Sequence, residues 1–163
     1  MSAARAPTDS PPRAGRVEVR LLGGFAAFRP DGSAARAWER PSAKKLLCLL
    51  VLTPDRRLEK SDALRLLFPS LAPERAANAL AKSSCWLREA LGLDRGEGLV
   101  SAGSALSWDT PVGSDVDGLL AARAGVLPDS SAELRALADD DRELLPEWSD
   151  DWVVGFRDEL CAA

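Results

Sequence analysis

The segment from Pro41 to Gly92 constrains the fold more than any other part of the chain, because it closes on the helix-forming stretch ANALAKSSCWLREALG. Leu80, Ser84, Leu87 and Leu91 fall at i, i+4, i+7 and i+11, which puts them on one helical face. Asn78, Lys82, Cys85, Trp86 and Glu89 point the other way. A helix packed on one side and carrying Lys, Asn and Trp on the other suits a nucleic-acid reader. It equally suits an ordinary solvated helix, and its neighbours must separate the two.

Pro41-Ser42 opens an earlier helix that runs through AKKLLCLLVL. Leu46, Leu47, Leu49, Leu50 and Leu52 make it apolar around most of its circumference, as expected of a central helix. Lys44 and Lys45 sit in its first turn, where a cation gains nothing from the helix dipole. Pro54-Asp55 ends it, and Arg56-Arg57-Leu58 reads as a short extended link. Ser61-Asp62 is the expected cap of a second helix, ALRLLF, which Pro69 stops. The third helix starts near Pro73-Glu74 and ends at Gly92, a natural C′ glycine.

Strands are expected on both sides of these helices. Arg16 to Leu22 and Phe25 to Arg29 flank the Gly23-Gly24 turn, and Pro30-Asp31-Gly32 leads to a third strand over 35–39 that carries Trp38 towards the core. The opening is therefore predicted as a small antiparallel meander. Leu99 to Ser101 and Ala105 to Trp108 flank Gly103 as a hairpin. Asp115 to Ala124 begins like another capped helix, and Leu134, Leu137, Leu144 and Leu145 form a helical stripe over 130–145. Trp148, Trp152, Val153 and Phe156 recur at helical spacing in a last helix that stops near Cys161. These last helices are too few to close a core of their own. They are expected to pack on the first domain, to dimerise, or to belong to a shortened unit.

Composition excludes several classes. At 163 residues and 46% hydrophobic content, the chain can hold one domain with a real core and a piece of another. No apolar run approaches the ~18 residues of a membrane helix. Residues 1–15 lack the apolar region of a secretory signal and read as a disordered leader. Three widely spaced cysteines, Cys48, Cys85 and Cys161, make neither a disulfide framework nor a metal pair, which fits the cytoplasm. Histidine is absent, which removes the commonest general base, the commonest metal ligand and every Ser-His or Cys-His pair. No catalytic residue, cofactor or metal site is expected. The run Asp139-Asp140-Asp141 would point in three directions on a helix, so it makes no ligand set.

The net charge of −4 conceals a split. Residues 1–92 hold 16 Lys and Arg against 9 Asp and Glu, a balance of +7, while residues 93–163 hold 5 against 16, a balance of −11. Such asymmetry is expected where one part meets a polyanion and the other does not; an acidic tail that only keeps the protein soluble is the plainer reading.

Strands, three helices with a tight turn between the second and third, then a hairpin: this order resembles a winged helix-turn-helix. At residue level the chain is similar to the OmpR/PhoB type found in SARP-type bacterial transcriptional regulators. VRLLGGFAAFR resembles that family's opening strands, and PSAKKLLCLLVL its first-helix signature P-x-x-[KR]-x-L-L-x-x-L-L-x-L. Ala76, Asn78, Ala79 and Leu80, then Leu87, Arg88, Ala90, Leu91 and Gly92, match its recognition helix. Further on, DVDGLLAARAG and ELLPEWSDDWVVGFRDEL look like the entrance to the helical bacterial transcriptional activator domain.

The resemblance implies an α+β chain with a disordered leader (1–15) and a winged-helix DNA-binding domain (16–110) built on an N-terminal antiparallel sheet and a C-terminal hairpin wing. A short all-α extension (111–163) would follow, as a partial activator-type domain. It further implies a cytoplasmic, nucleoid-associated regulator that binds double-stranded DNA, with RNA polymerase contact through Pro69 to Arg75 and a homodimer on paired sites as possible additions. In a winged helix the third helix reads base edges in the major groove while other elements hold phosphates. By position, Asn78, Lys82, Ser83 and Trp86 are the base-contact candidates. Lys44, Lys45, Arg56, Arg57, Lys60 and Arg88 are the phosphate candidates. The family commonly places basic residues where this chain has Cys85 or Trp86 and Glu89, and the wing sequence SAGSALS carries no cation. The alternative expectation is a protein-interaction module that has kept the fold and binds a partner through Trp86 and the Trp-rich last helix.

Overall fold

The computed structural model describes residues 15–35, 38, 40–124 and 142–162. Strand β1 (Val17–Arg20) turns Val17 and Val19 inward, and at Gly23-Gly24 the backbone reverses through positive φ before β2 (Ala26–Phe28). The two strands pair antiparallel, Glu18 opposite Phe28 and Arg20 opposite Ala26. The expected all-antiparallel meander is corrected on the other side of β1. There β6 (Val112–Ser114) pairs in parallel, Val17 opposite Val112 and Val19 opposite Ser114, giving the order β2-β1-β6. A three-residue strand brought in by a long crossover has no alternation to read in the sequence. The predicted strand over 35–39 lies partly outside the described residues; Ala35 and Trp38, which are described, belong to no strand. The Arg16 guanidinium lies over Gly113, where a Cβ would require it to move aside.

Helix α1 (Pro41–Leu52) is central as expected: Ala43 and every residue from Leu46 to Val51 are buried. It leaves through a 3-10 turn (Pro54–Arg56) in which Asp55 and Arg56 take φ of 59° and 53°. Next, β3 (Arg57–Glu59) runs directly into α2 (Lys60–Leu67). Ser61-Asp62 is therefore not the cap. Glu59 occupies the N-cap without a side-chain bond, and the Lys60 amide donates instead to Ser104 O of the hairpin turn at 2.8 Å.

Helix α3 (Pro73–Leu91) begins at a proline and ends at Gly92 with φ 65°. The Leu93 and Gly92 amides donate to Arg88 O and Glu89 O at 2.9 and 3.1 Å, closing the last turn. The hairpin forms as expected from β4 (Leu99–Ala102) and β5 (Ala105–Trp108), and β3 completes the sheet β3-β5-β4.

Helix α4 (Asp115–Arg123) is capped by Ser114, whose hydroxyl accepts from the Asp117 amide at 3.1 Å. The Asp115 carboxylate accepts from the Leu21 and Leu22 amides at 2.9 and 3.0 Å, so it stands in for a missing strand partner at the end of β1. Burial pushes its carboxyl up from the ordinary value, against the downward pull of those two bonds.

The chain returns to the same sheet at residues 142–150. Gly23 N donates to Glu143 O, Leu145 N donates to Leu21 O, and Leu22 bridges Leu144. Leu144 and Leu145 thus lie in an extended bridge and a bend, not on the predicted helical stripe, whose earlier part lies outside the described residues with Asp139 to Asp141.

Helix α5 (Asp151–Ala162) starts after Trp148 and closes a row of aromatic contacts, Trp38–Phe25–Trp148–Trp152–Phe156, with centroids 5.4, 6.1, 6.3 and 6.4 Å apart. Arg157 donates to Leu144 O at 2.7 Å, to Trp148 O at 2.6 Å and to Leu145 O. Leu144, Leu145, Trp152 and Val153 belong to the same buried cluster as Val17, Leu47 and Leu87. Among the described residues, the last helix and the segment before it pack on the first part of the chain.

Candidate nucleic-acid interface

Helix α3 is divided along its length. Ala76, Leu80, Ser83, Ser84, Leu87, Ala90 and Leu91 are buried, which anchors one face against α1, α2 and the core. Arg75, Asn78, Lys82, Cys85 and Glu89, at i, i+3, i+7, i+10 and i+14, form an exposed stripe on the opposite side. Arg75, Asn78 and Lys82 have no side-chain partner among the described residues, so their donors face solvent. Arg75 shares the stripe one turn before Asn78. The sequence assigns it to the loop Pro69 to Arg75, but it lies in the first turn of α3, and its spacing from Asn78 places it on this stripe.

Ser83 is corrected outright. It is fully buried, its hydroxyl donates to Ala79 O at 2.7 Å, and it lies 2.8 Å from Ser42 Oγ at the start of α1. It joins two helices and has no exposed surface for a base contact. Trp86 is half-buried against the core, and the Arg40 guanidinium covers its ring at 5.2 Å from the centroid. Arg40 precedes α1 and is exposed. No sequence signal connects it to Trp86.

The phosphate candidates divide sharply. Lys45 donates to both Asp150 oxygens, at 3.0 and 2.8 Å, and lies 5.9 Å from the Trp148 ring centroid, so the returning segment holds it. Lys44 lies 5.3 Å from the Phe25 ring centroid. Arg56 bonds to Val51 O and pairs with Asp117. Arg88 donates to Leu99 O at 2.7 Å while its Nε is buried without a partner, which ties α3 to β4. Lys60 donates to Gly103 O at 2.9 Å. Arg57 alone of the six is exposed with no partner among the described residues.

At the hairpin tip, Gly103 takes φ 58° and Ser104 Oγ donates to Glu59 Oε2 at 3.0 Å. The tip has no cation of its own, but Lys60 is bonded to it and Arg57 pairs with Ser107 of β5 in the same sheet. The Cys48 thiol is fully buried and burial pushes it far up, whereas Cys85 and Cys161 are exposed. Among the described residues no group of three candidate ligands gathers to hold a metal, and no helix is long and apolar enough to cross a membrane.

No family model matches the chain, and no curated protein sequence matches it. A solved structure does. Mycobacterium tuberculosis EmbR, determined in complex with a low affinity phosphopeptide, is similar over 90% of this chain at a TM-score of 0.66 and 22% identity. The fold is winged-helix-like. The chain spans 42% of that EmbR chain, so the likeness concerns less than half of the larger protein.

Proposed function

We propose that the chain is a DNA-binding transcriptional regulator that lays the outer stripe of α3 in the major groove. The observation that carries this reading is the stripe itself: Arg75, Asn78 and Lys82 stand exposed, with no partner among the described residues, on a helix whose other face is anchored in the core. Asn is the residue that pairs bidentately with adenine, and Lys reaches guanine or a phosphate. Arg75 holds one flanking phosphate, and Arg57 with Lys60 supplies the charge that the hairpin tip lacks. The likeness in fold to EmbR supports an α3 of this role.

The loop before α3 exposes Leu71 at 43% of its surface, and we assign to it the contact with RNA polymerase. Direct-repeat or paired DNA sites then call for a homodimer. The alternative of a protein-interaction module is weakened by the last helix, where Trp152 is buried and Trp148 and Phe156 are half-buried in the aromatic row.

Electrophoretic mobility of the full chain against a pool of random duplexes, at two salt concentrations, tests the reading. A retarded complex that selects a motif and weakens steeply with salt is expected. Absence of any retarded complex at about micromolar protein and low salt would overturn it.

A further inference from the structure

We infer that Arg40 is a DNA-phosphate contact of this interface and that Trp86 is its positioning residue, not a base reader; the inference rests on the DNA reading above. The outer stripe of α3 loses positive charge towards its C-terminal end, where Cys85 and Glu89 follow Lys82. Arg40 restores a cation at that point from another element. The Ser42–Ser83 hydroxyl contact pins the start of α1 to the middle of α3, and this brings Arg40 over a ring one turn beyond Lys82.

The stacking matters chemically. A guanidinium lying on an aromatic face keeps its N–H edges available for a bidentate acceptor, because the ring meets the flat face of the cation. A phosphate oxygen pair is an acceptor of that shape. Trp86 is half-buried against the core, so the platform is fixed and Arg40 loses less side-chain freedom on binding. No carboxylate pairs with Arg40 among the described residues, in contrast to Lys45 and Arg56. The Trp86 ring has one face occupied by Arg40, which leaves it poorly disposed to meet a base.

The test is the salt dependence of binding of the full chain to a fluorescent duplex of ~30 base pairs and mixed sequence, between about 50 and 200 mM salt. Arg40→Ala is expected to lower the slope of log K against log salt by about 1 and to weaken all sequences alike. Arg40→Lys keeps most of the slope. Trp86→Leu weakens binding, Trp86→Phe restores it, and Arg40→Ala/Trp86→Leu is no weaker than Arg40→Ala alone. A wild-type complex whose slope Arg40→Ala leaves unchanged overturns the role of Arg40 while the DNA reading stands. A double variant weaker than either single variant overturns Trp86 as a mere support. Failure of the wild-type chain to bind any duplex overturns the DNA reading and this inference with it. Arg40 is exposed, so the decisive variant does not depend on the packing of the ring.

Discussion

Cations on α3's outer face and several of the cations around it look alike in the sequence and have opposite fates. Arg75 and Lys82 have no partner among the described residues, while Lys45, Arg56, Lys60 and Arg88 are taken up by Asp150, Asp117, Gly103 O and Leu99 O. The difference follows from the second half of the chain. Three of its acidic residues are structural partners of the first half: Asp115 binds the end of β1, Asp117 holds Arg56, and Asp150 holds Lys45. The balance of +7 over residues 1–92 therefore overstates the positive charge that a polyanion would meet, since Lys45 and Arg56 are paired with carboxylates of the second half.

The largest expected contrast lies between the two faces of α3. Leu87→Ala removes a fully buried side chain and is expected to cost about 2 to 5 kcal/mol in urea denaturation. Lys82→Ala, one turn away on the outer face, should stay within about 0.5 kcal/mol. Similar losses for both would mean that the faces are not divided as described.

Next comes the cation that closes the fold. Arg157→Ala leaves three carbonyls of the 144–148 segment without their donor and is expected to lower stability by about 2 kcal/mol. Its salt slope for DNA should match the wild type, and a reduced slope would move Arg157 into the interface.

Much of this was legible in the sequence, for identifiable reasons. Leu80, Leu87 and Leu91 repeat at helical spacing over about three turns, and the leucines of α1 leave it no exposed side, so both helices and their packing could be read. The burial of Ser83 was also within reach, since it sits three residues after Leu80 and four before Leu87. Its hydroxyl suggested an outward residue, but a serine in a helix can satisfy itself on the carbonyl one turn back, as Ser83 does on Ala79 O. Strand β6 and the pairs Arg40–Trp86 and Lys45–Asp150 were beyond reach. Each joins residues distant in sequence, with no periodicity or spacing to announce the contact.

Two smaller effects sharpen the contrast. Asn78→Ala is expected to relax preference at one base pair by about 1 to 3 kcal/mol in competition binding while leaving the salt slope in place. Uniform weakening across sequences would make Asn78 a backbone contact instead. A double-mutant cycle on Lys45 and Asp150 should give a coupling of no more than about 1 kcal/mol, because the pair is only half-buried.

The central claim is that the outer stripe of α3 supplies DNA-facing charge and that Lys45 of α1, held by Asp150, does not. The direct measurement is the slope of log K against log salt for the full chain, its Arg75→Ala/Lys82→Ala variant and its Lys45→Ala variant on one duplex. The slope is predicted to fall by about 2 in the α3 variant and to stay at the wild-type value in Lys45→Ala. An unchanged slope in the α3 variant, or a loss confined to Lys45→Ala, would contradict the account.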